Sequence, residues 1–299
     1  MNDVFALCGI SRQAHYQALQ RQLHTRQKAA LYVRSMQQVR EIHPGMGLRT
    51  MYEMLQPEGI GRDAFVALGL QEGFRLKSIE KHTRTTYSTR SNRYGNLLGG
   101  VEFDGINQLW SSDITYLCSL DWFFYIVLIM DVYSRRLIGY NIADNMRAEN
   151  NLAALQMALK LRGRDNYHHS LIHHSDKGTQ YASDDYTELL DSYKIKISMC
   201  REVYENTHIE RVNDTIKNQY LYRRDINSKK QLETQVDNTI KAYNESRPHQ
   251  SLNKTSPVQY EKYLLDVPKQ NRSKMKIYTV QLNTDAFITK QLNLFKQDL

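Results

Sequence analysis

The run FFYIVLIMDVYS, residues 123–134, leaves the chain few ways to fold. It falls well short of the roughly 18 apolar residues that span a bilayer, so it has to be buried inside protein. A continuous apolar stretch of this length suits a central strand covered on both faces. Strands are therefore expected beside it. WSSDITYLC (110–118) reads as one, with Asp121 and Trp122 at the turn, and RRLIGYNIA (135–143) reads as another. The short connections predict an antiparallel meander.

Beyond the meander the period changes. RAENNLAALQMALKLRG (147–163) puts Leu152, Leu155, Ala158 and Leu159 on one helical face. SLIHHS (170–175) is a fourth strand. Ser183, Asp184 and Asp185 open a helix that runs to Tyr193, acids being favourable in a first turn. IKISMC (195–200) is a fifth strand, and NTHIERVNDTIKNQYL (206–221) a helix. The order β-β-β-α-β-α-β-α predicts an α/β core of ribonuclease-H-like topology at 101–222: a mixed five-stranded sheet flanked by helices.

Ahead of the sheet, residues 1–73 read as helical. Ser11 is placed to cap a helix through Ala14, Tyr16, Ala18, Leu19 and Leu23. GLRTMYEMLQ then holds Leu48, Met51, Tyr52 and Leu55 at helical spacing. PEGIG breaks that helix, and RDAFVALGLQEG resumes one with Phe65, Leu68 and Leu70. Helix, Gly-containing turn, helix is a DNA-binding pattern, with Arg62 a candidate contact; it is equally the pattern of an ordinary helical hairpin. Residues 74–100 form a basic linker in which Arg75, Lys77, Lys81, Arg84, Arg90 and Arg93 are opposed by Glu80 alone. Such a stretch either follows a phosphate backbone or is simply solvated. The formal charge of +8 favours an acidic partner, nucleic acid being the usual one. Residues 223–265 continue as a helical extension of the core, and 266–299 close the chain with strand-like KIYTVQL and a polar tail of no assigned role.

Cys8, Cys118 and Cys200 are scattered and predict no disulfide framework. No basic segment leads into an apolar one at the start, so no signal peptide is expected. These features together predict a soluble, cytoplasmic protein. His168, His169, His173 and His174 lack partners at zinc-ligand spacing. No phosphate-binding G-x-x-x-x-G-K-[ST] occurs, so ATP use is not expected.

The chemistry rests on acids. Asp113 lies inside the first strand, where an ionised carboxylate is costly unless paired or metal-bound. Asp176 directly follows SLIHHS, at a strand end, where ligands are met. Glu210 lies on the helix after the fifth strand. With the first and fourth strands as neighbours, the two aspartates converge and the late helix lays Glu210 across them. Three such side chains suit two Mg²⁺ ions about 4 Å apart, the arrangement used for phosphodiester transfer. Each acid alone also has a plain structural reading: Asp113 satisfied by backbone or an Arg, Asp176 as a turn former, and Glu210 as a helix-surface residue.

At WSSDITYL, DVYSRRLIGY, HHSDKGTQY, ISMCR, YENTHIERVNDTIK and YNESRPHQSL the chain resembles the insertion-sequence transposases with a retroviral-integrase-type DDE core, specifically the IS-three family's downstream-frame product. The likeness covers roughly residues 30 to 262. It implies that Asp113, Asp176 and Glu210 are the catalytic, metal-binding triad, matching in turn the acids of the family's W-x-x-D-[IT]-T-Y, H-S-D-x-G-x-Q-Y and Y-[DE]-N-A-x-x-E. It also implies a helix-turn-helix-like region at about 31–90. The family has thirty-five residues between the second Asp and the Glu; here there are 33, the shortening falling in REVYENT. A loop that absorbs it keeps Glu210, whereas one that shifts the helix makes Glu205 or Glu202 the ligand. The surrounding I-E-R-V-N-x-x-I-K favours Glu210. Thr207 stands where the family has Ala. Lys217, seven residues beyond Glu210 on the same α-helical face, is a candidate to hold a transposon-end phosphate. Lys177 and Arg211 are candidates of the same kind that are equally well read as solvated.

The resemblance thus implies a DNA transposase that cleaves and transfers strands at the ends of an insertion sequence. It would use two Mg²⁺ ions, for which Mn²⁺ can substitute, and act as at least a dimer on DNA, with an upstream-frame protein as a further partner. Two alternatives remain open: a non-catalytic DNA-binding regulator or domesticated remnant, and a ribonuclease-H-like nuclease acting on hybrids or junctions.

Overall fold

The computed structural model describes residues 9, 11–79, 93–119, 122–163 and 170–277. Cys8, Glu80, Lys81, Arg84, Tyr87, Arg90, Asp121, His168 and His169 lie outside the described residues, as do the tail and most of KIYTVQL.

The apolar run forms the expected inner strand. β2 (Leu109–Ser119), β3 (Trp122–Asp131), β4 (Leu137–Ala143), β5 (Ile172–Ser175) and β6 (Lys196–Met199) make one sheet in the order β4-β3-β2-β5-β6. β3 and β4 are antiparallel, pairing Ile126 with Ile142, while β2–β5 and β5–β6 are parallel, so the sheet is mixed. A short antiparallel pair, β1 (Glu102–Phe103) with β7 (Met275–Lys276), stands apart from it. Ile126 through Met130 are all buried, as the unbroken apolar pattern requires.

The central strand stops at Asp131 rather than running on to Ser134. The Asp131 carboxylate is fully buried and accepts the backbone N–H groups of Asn107, Tyr133 and Ser134 at 2.7, 3.1 and 3.1 Å, folding the chain into a turn in which Arg135 has a φ of 60°. Helix α4 (Ala148–Arg162) follows β4 and buries Ala154, Leu155, Ala158 and Leu159. It lies so close to β4 that a methyl group on Gly139 would overlap the Ala154 carbonyl oxygen. Helix α5 (Asp184–Ser192) separates β5 from β6. Helix α6 (Thr207–Asp214) is α-helical only to Asp214, then winds as a π-helix over Thr215–Tyr220 and a 3₁₀ turn over Leu221–Arg223. The uniform helix expected at 206–221 is therefore three windings in series.

The chain divides into two compact units. One comprises Thr85–Leu117, Phe123–Arg211 and Glu261–Leu299 and contains most of the sheet. Its core includes Trp110, Val127, Ile129, Leu155, Tyr181 and Leu190. Beneath it runs a buried ion network. The Arg162 guanidinium meets both oxygens of Glu261, at 2.5 and 2.9 Å, and Asp131 at 3.4 Å, and the Ser134 hydroxyl donates to Glu261 at 2.7 Å. Glu261 lies on α8 (Pro257–Asp266).

The other unit comprises Met1–Arg84, Cys118–Trp122 and Val212–Tyr260. Helix α1 (Arg12–Ile42) begins where Ser11 was expected to cap it, the Ser11 Oγ accepting the Ala14 N–H at 3.1 Å. Helices α2 (Leu48–Leu55) and α3 (Arg62–Gln71) are separated by a turn with Gln56 and Gly59 at positive φ, and share a core of Met36, Val39, Met46, Leu48, Met51 and Phe65. The sequence reads 223–265 as an extension of the sheet domain, but Val212–Tyr260, with helix α7 (Lys229–Glu245), groups instead with the N-terminal helices. His43 supplies a physical link: its buried ring bonds the Tyr220 hydroxyl at 2.6 Å and the Ser246 hydroxyl at 2.9 Å.

Candidate active site

Asp113, Asp176 and Glu210 all lie in the unit that contains most of the sheet. The parallel pairing of β2 with β5 sets Ser111 opposite His174 and Ser112 opposite Ser175, so Asp113 and Asp176 are the next residues along two neighbouring chains. Neighbouring strands lie about 4.8 Å apart. On the other side of β5, the Cys200 N–H donates to the Ser175 carbonyl at 2.9 Å, extending the parallel β5–β6 pairing to the residue before Asp176. Asp113 is half-buried while Ser111 and Ser112 before it are buried. Asp176 also performs the turn role open to it, its Oδ1 accepting the Gly178 N–H at 3.0 Å.

Glu210 sits in the first turn of α6, half-buried. The approach to that helix is fixed by two side chains that sequence reasoning assigned no such part. Glu205 is 4% exposed, and its Oε2 accepts the N–H groups of Arg201 and Glu202 at 2.6 and 3.2 Å, closing a capping box with Glu202. Its carboxylate is thus engaged in shaping the loop. Asn206, also buried, bonds through its amide to the Ser111 hydroxyl and, at 3.1 Å, to the Ser112 carbonyl. The signal for these contacts is WSSD itself: two hydroxyls in a core strand need buried partners.

One thiol registers all the acids. Cys200 is buried, and its pKa is pushed far up by burial and then by the charges of Asp176, Glu205, Asp113 and Glu210. Tyr181 is raised by burial and by Asp176 and Asp113, and its hydroxyl bonds Ser112 Oγ at 3.0 Å. The histidines behind the strand end are hydrogen-bonded supports. His173 meets the Tyr186 hydroxyl at 2.9 Å, and burial with the adjacent His174 pushes it down to about 3. His174 meets Ser198 Oγ at 2.9 Å and Cys200 Sγ at 3.1 Å, and burial lowers it to about 4 against the pull of Glu205. Among the described residues, no three His, Cys, Asp or Glu side chains are arranged as placed to hold a metal ion. The side chains of Asp113, Asp176 and Glu210 end in carboxylate oxygens, the donors that suit a hard divalent cation.

Of the candidate DNA contacts, Arg211 is exposed beside Glu210 and Lys177 half-buried beside Asp176. Lys217 stands in the π-helical turn, so the seven-residue step from Glu210 is not wound as an α-helix throughout. Arg62, Arg75 and Lys77 belong to the other unit and are exposed, Arg62 paired with Asp63 at 3.0 Å. Among the described residues no helix is long and apolar enough to cross a membrane.

Comparison with known proteins gives the following likenesses. Residues 104–204 match one integrase core domain family and residues 192–257 a second. A 31 kDa protein of insertion element IS600 from Shigella sonnei, itself uncharacterised, is 29% identical over 265 residues, which cover 85% of this chain and 96% of that one. The transposase InsF for insertion sequence IS3A from Escherichia coli (strain K12) is 31% identical over 196 residues, 64% of this chain and 67% of that protein. Among solved structures, the catalytic core domain of HTLV-2 integrase in complex with magnesium is 19% identical at a TM-score of 0.43, covering 52% of this chain and 96% of that chain.

Proposed function

The chain belongs to the IS3-type insertion-sequence transposases built on an integrase core domain, and from that premise we propose that Asp113, Asp176 and Glu210 are the side chains with which it cuts and rejoins DNA. The observation that carries this reading is the β2–β5 register, which makes Asp113 and Asp176 the next residues along paired strands, with Glu210 in the first turn of a helix whose approach is tied to β2 through Asn206. Glu205 has its Oε2 turned to backbone donors, which favours Glu210 as the third ligand.

The triad would hold two Mg²⁺ ions, or Mn²⁺ in their place. When bound, such ions supply positive charge at the attacking and departing oxygens of a phosphodiester. The chain's own part is positional. The β2–β5 register holds the two aspartates side by side, and α6 brings the glutamate to them. Arg211 and Lys177, each next to a triad acid, steady the phosphate backbone of the element end.

DNA is gripped further by the N-terminal helices. Every residue from Ser11 to Lys28 is exposed, and α1 carries six Arg and Lys against the single acid Glu41. That helix, together with α2, α3 and the basic residues Arg62, Arg75, Lys77, Lys81 and Arg84, forms a DNA-binding region over 1–73 with a basic linker over 74–100. Handling both ends of one element calls for at least two copies on DNA, with an upstream-frame protein as a further partner and the nucleoid as the working place.

The test is strand cleavage and joining by the purified chain on duplexes that carry the element's ends, with Mg²⁺. Wild-type protein is expected to nick and join, and Asp113→Asn to do neither while still binding DNA. Equal behaviour of the two would refute the triad and leave a DNA-binding regulator. Preference for RNA–DNA hybrids or junctions over element ends would make the chain a nuclease of another kind.

A further inference from the structure

Ser111 and Ser112, the two residues before Asp113, receive ties from both sides of the site. From the Asp176 side comes the Tyr181 hydroxyl, to Ser112 Oγ. From the Glu210 side comes Asn206, 3% exposed, whose Oδ1 accepts the Ser111 hydroxyl and whose Nδ2 donates to the Ser112 carbonyl at 3.1 Å. The second tie demands a particular side chain. One end must accept and the other donate, both away from water, so an aspartate lacks the donor, an alanine lacks both groups, and a glutamine is a methylene too long. Asn206 ends the 3₁₀ turn Val203–Asn206, and α6 starts at the next residue with Glu210 in its first turn. A helix is stiff, so fixing the residue just before it to β2 constrains where Glu210 stands relative to the strand that bears Asp113.

We propose that Asn206 is a positioning residue: by pinning the start of α6 to Ser111 and Ser112 it sets Glu210 against Asp113, and so fixes how tightly the three acids take up a divalent cation. The inference rests on the triad reading above. Residues that orient metal ligands typically govern affinity by about 10–100-fold.

Mn²⁺ binding to the full chain, read by electron paramagnetic resonance without DNA, tests it separately from catalysis. Asn206→Ala is expected to weaken Mn²⁺ binding about tenfold or more. Leu190→Ala, which truncates the same unit's core away from these contacts, should lose stability yet keep its affinity within about twofold. Should Asn206→Ala not fold, Ser111→Ala removes only the hydroxyl donor and is expected to weaken binding in the same direction. Wild-type affinity in whichever of the two is read, with Asp113→Asn losing Mn²⁺, overturns the role of Asn206 alone. Equal weakening in Leu190→Ala overturns it too, since the effect would then be one of stability. Wild-type Mn²⁺ binding in Asp113→Asn overturns the triad, and this inference with it.

Discussion

Glu205 and Glu210 compete in the sequence because the interval after Asp176 is two residues short of the family's, and they part company in their partners. Glu205 has given one oxygen to two backbone N–H groups, whereas Glu210 projects from the first turn of a helix whose start is tied to β2. Glu210→Gln should therefore cost strand-transfer activity about a thousandfold or more, the several kcal/mol expected when a metal ligand is lost. Glu205→Gln should keep activity within about tenfold and lose about 1 kcal/mol of stability, the worth of a cap. The reverse ranking in a cleavage assay paired with urea denaturation would move the triad to Glu205. Asp131 gave no comparable sign. An acid closing an apolar run reads as part of the strand, and its partner Arg162 and their shared neighbour Glu261 are distant in sequence. Burial raises the Asp131 carboxyl against the opposing charge of Arg162; for Glu261 burial is outweighed by the bonds and charge of Arg162, with Arg136 and Ser134, which hold it low. Arg162→Met would leave the buried Asp131 without its cation and Glu261 with Arg136 alone, so a loss of about 3–5 kcal/mol is expected in urea unfolding. A loss under about 1 kcal/mol would mean the network contributes little.

Elements were legible where their periodicity is local. The five strands, α4, α5 and the start of α6 fall within a few residues of their expected bounds because the apolar spacing of 101–222 is decided by neighbours in sequence. The change of winding after Asp214 was not legible, since π-helical turns have no strong residue signature; Ile216 and Tyr220 within this one are buried. Nor was the grouping of Val212–Tyr260 with the N-terminal helices, whose contacts join residues far apart along the chain: His43 with Tyr220 and Ser246, Arg224 with the Glu41 and Ile42 carbonyls, and Gln250 with Glu53. Helix α1 sits between these cases: its cap was readable at Ser11, but the sequence does not say what its exposed first half is for. If it lies along DNA, each cation that meets a phosphate displaces a counterion, contributing about 0.9 to the slope of log affinity against log salt. Replacing Arg21, Arg26 and Lys28 together by Gln should then lower that slope by between about 2 and 3 on a plain duplex, without changing the unfolding midpoint. An unchanged slope would assign the DNA-binding surface elsewhere, and α1 would be a hairpin arm with another purpose.

For the molecule as a whole, four histidines across both units bear on one prediction about acid. Burial is the first cause in each. His43 falls to about 4, with Arg247 and Arg224 adding to the effect, and His208 falls to about 4 with Arg135 and Arg211. His173 and His174 fall to about 3 and about 4. In the unfolded chain these rings take up protons near pH 6.5, whereas in the folded protein they stay neutral until pH nears 4. Between those limits the unfolded state holds more protons, so stability falls as pH is lowered from about 6.5 towards 4 and is fully present above that window. Asp131 works the other way, because a carboxyl raised by burial is protonated first in the folded state and resists acid unfolding. The net curve mixes the two, but a single substitution separates them. His43→Gln keeps a polar side chain between Tyr220 and Ser246 while removing one titrating ring, so its stability should depend on pH less steeply than wild type, by up to about 1.4 kcal/mol per unit within the window. Urea midpoints at pH 7.5 and 5.5 for both proteins measure this. Parallel curves would mean that His43 titrates in the folded chain as it does in the unfolded one, and that the seal around its ring opens to water.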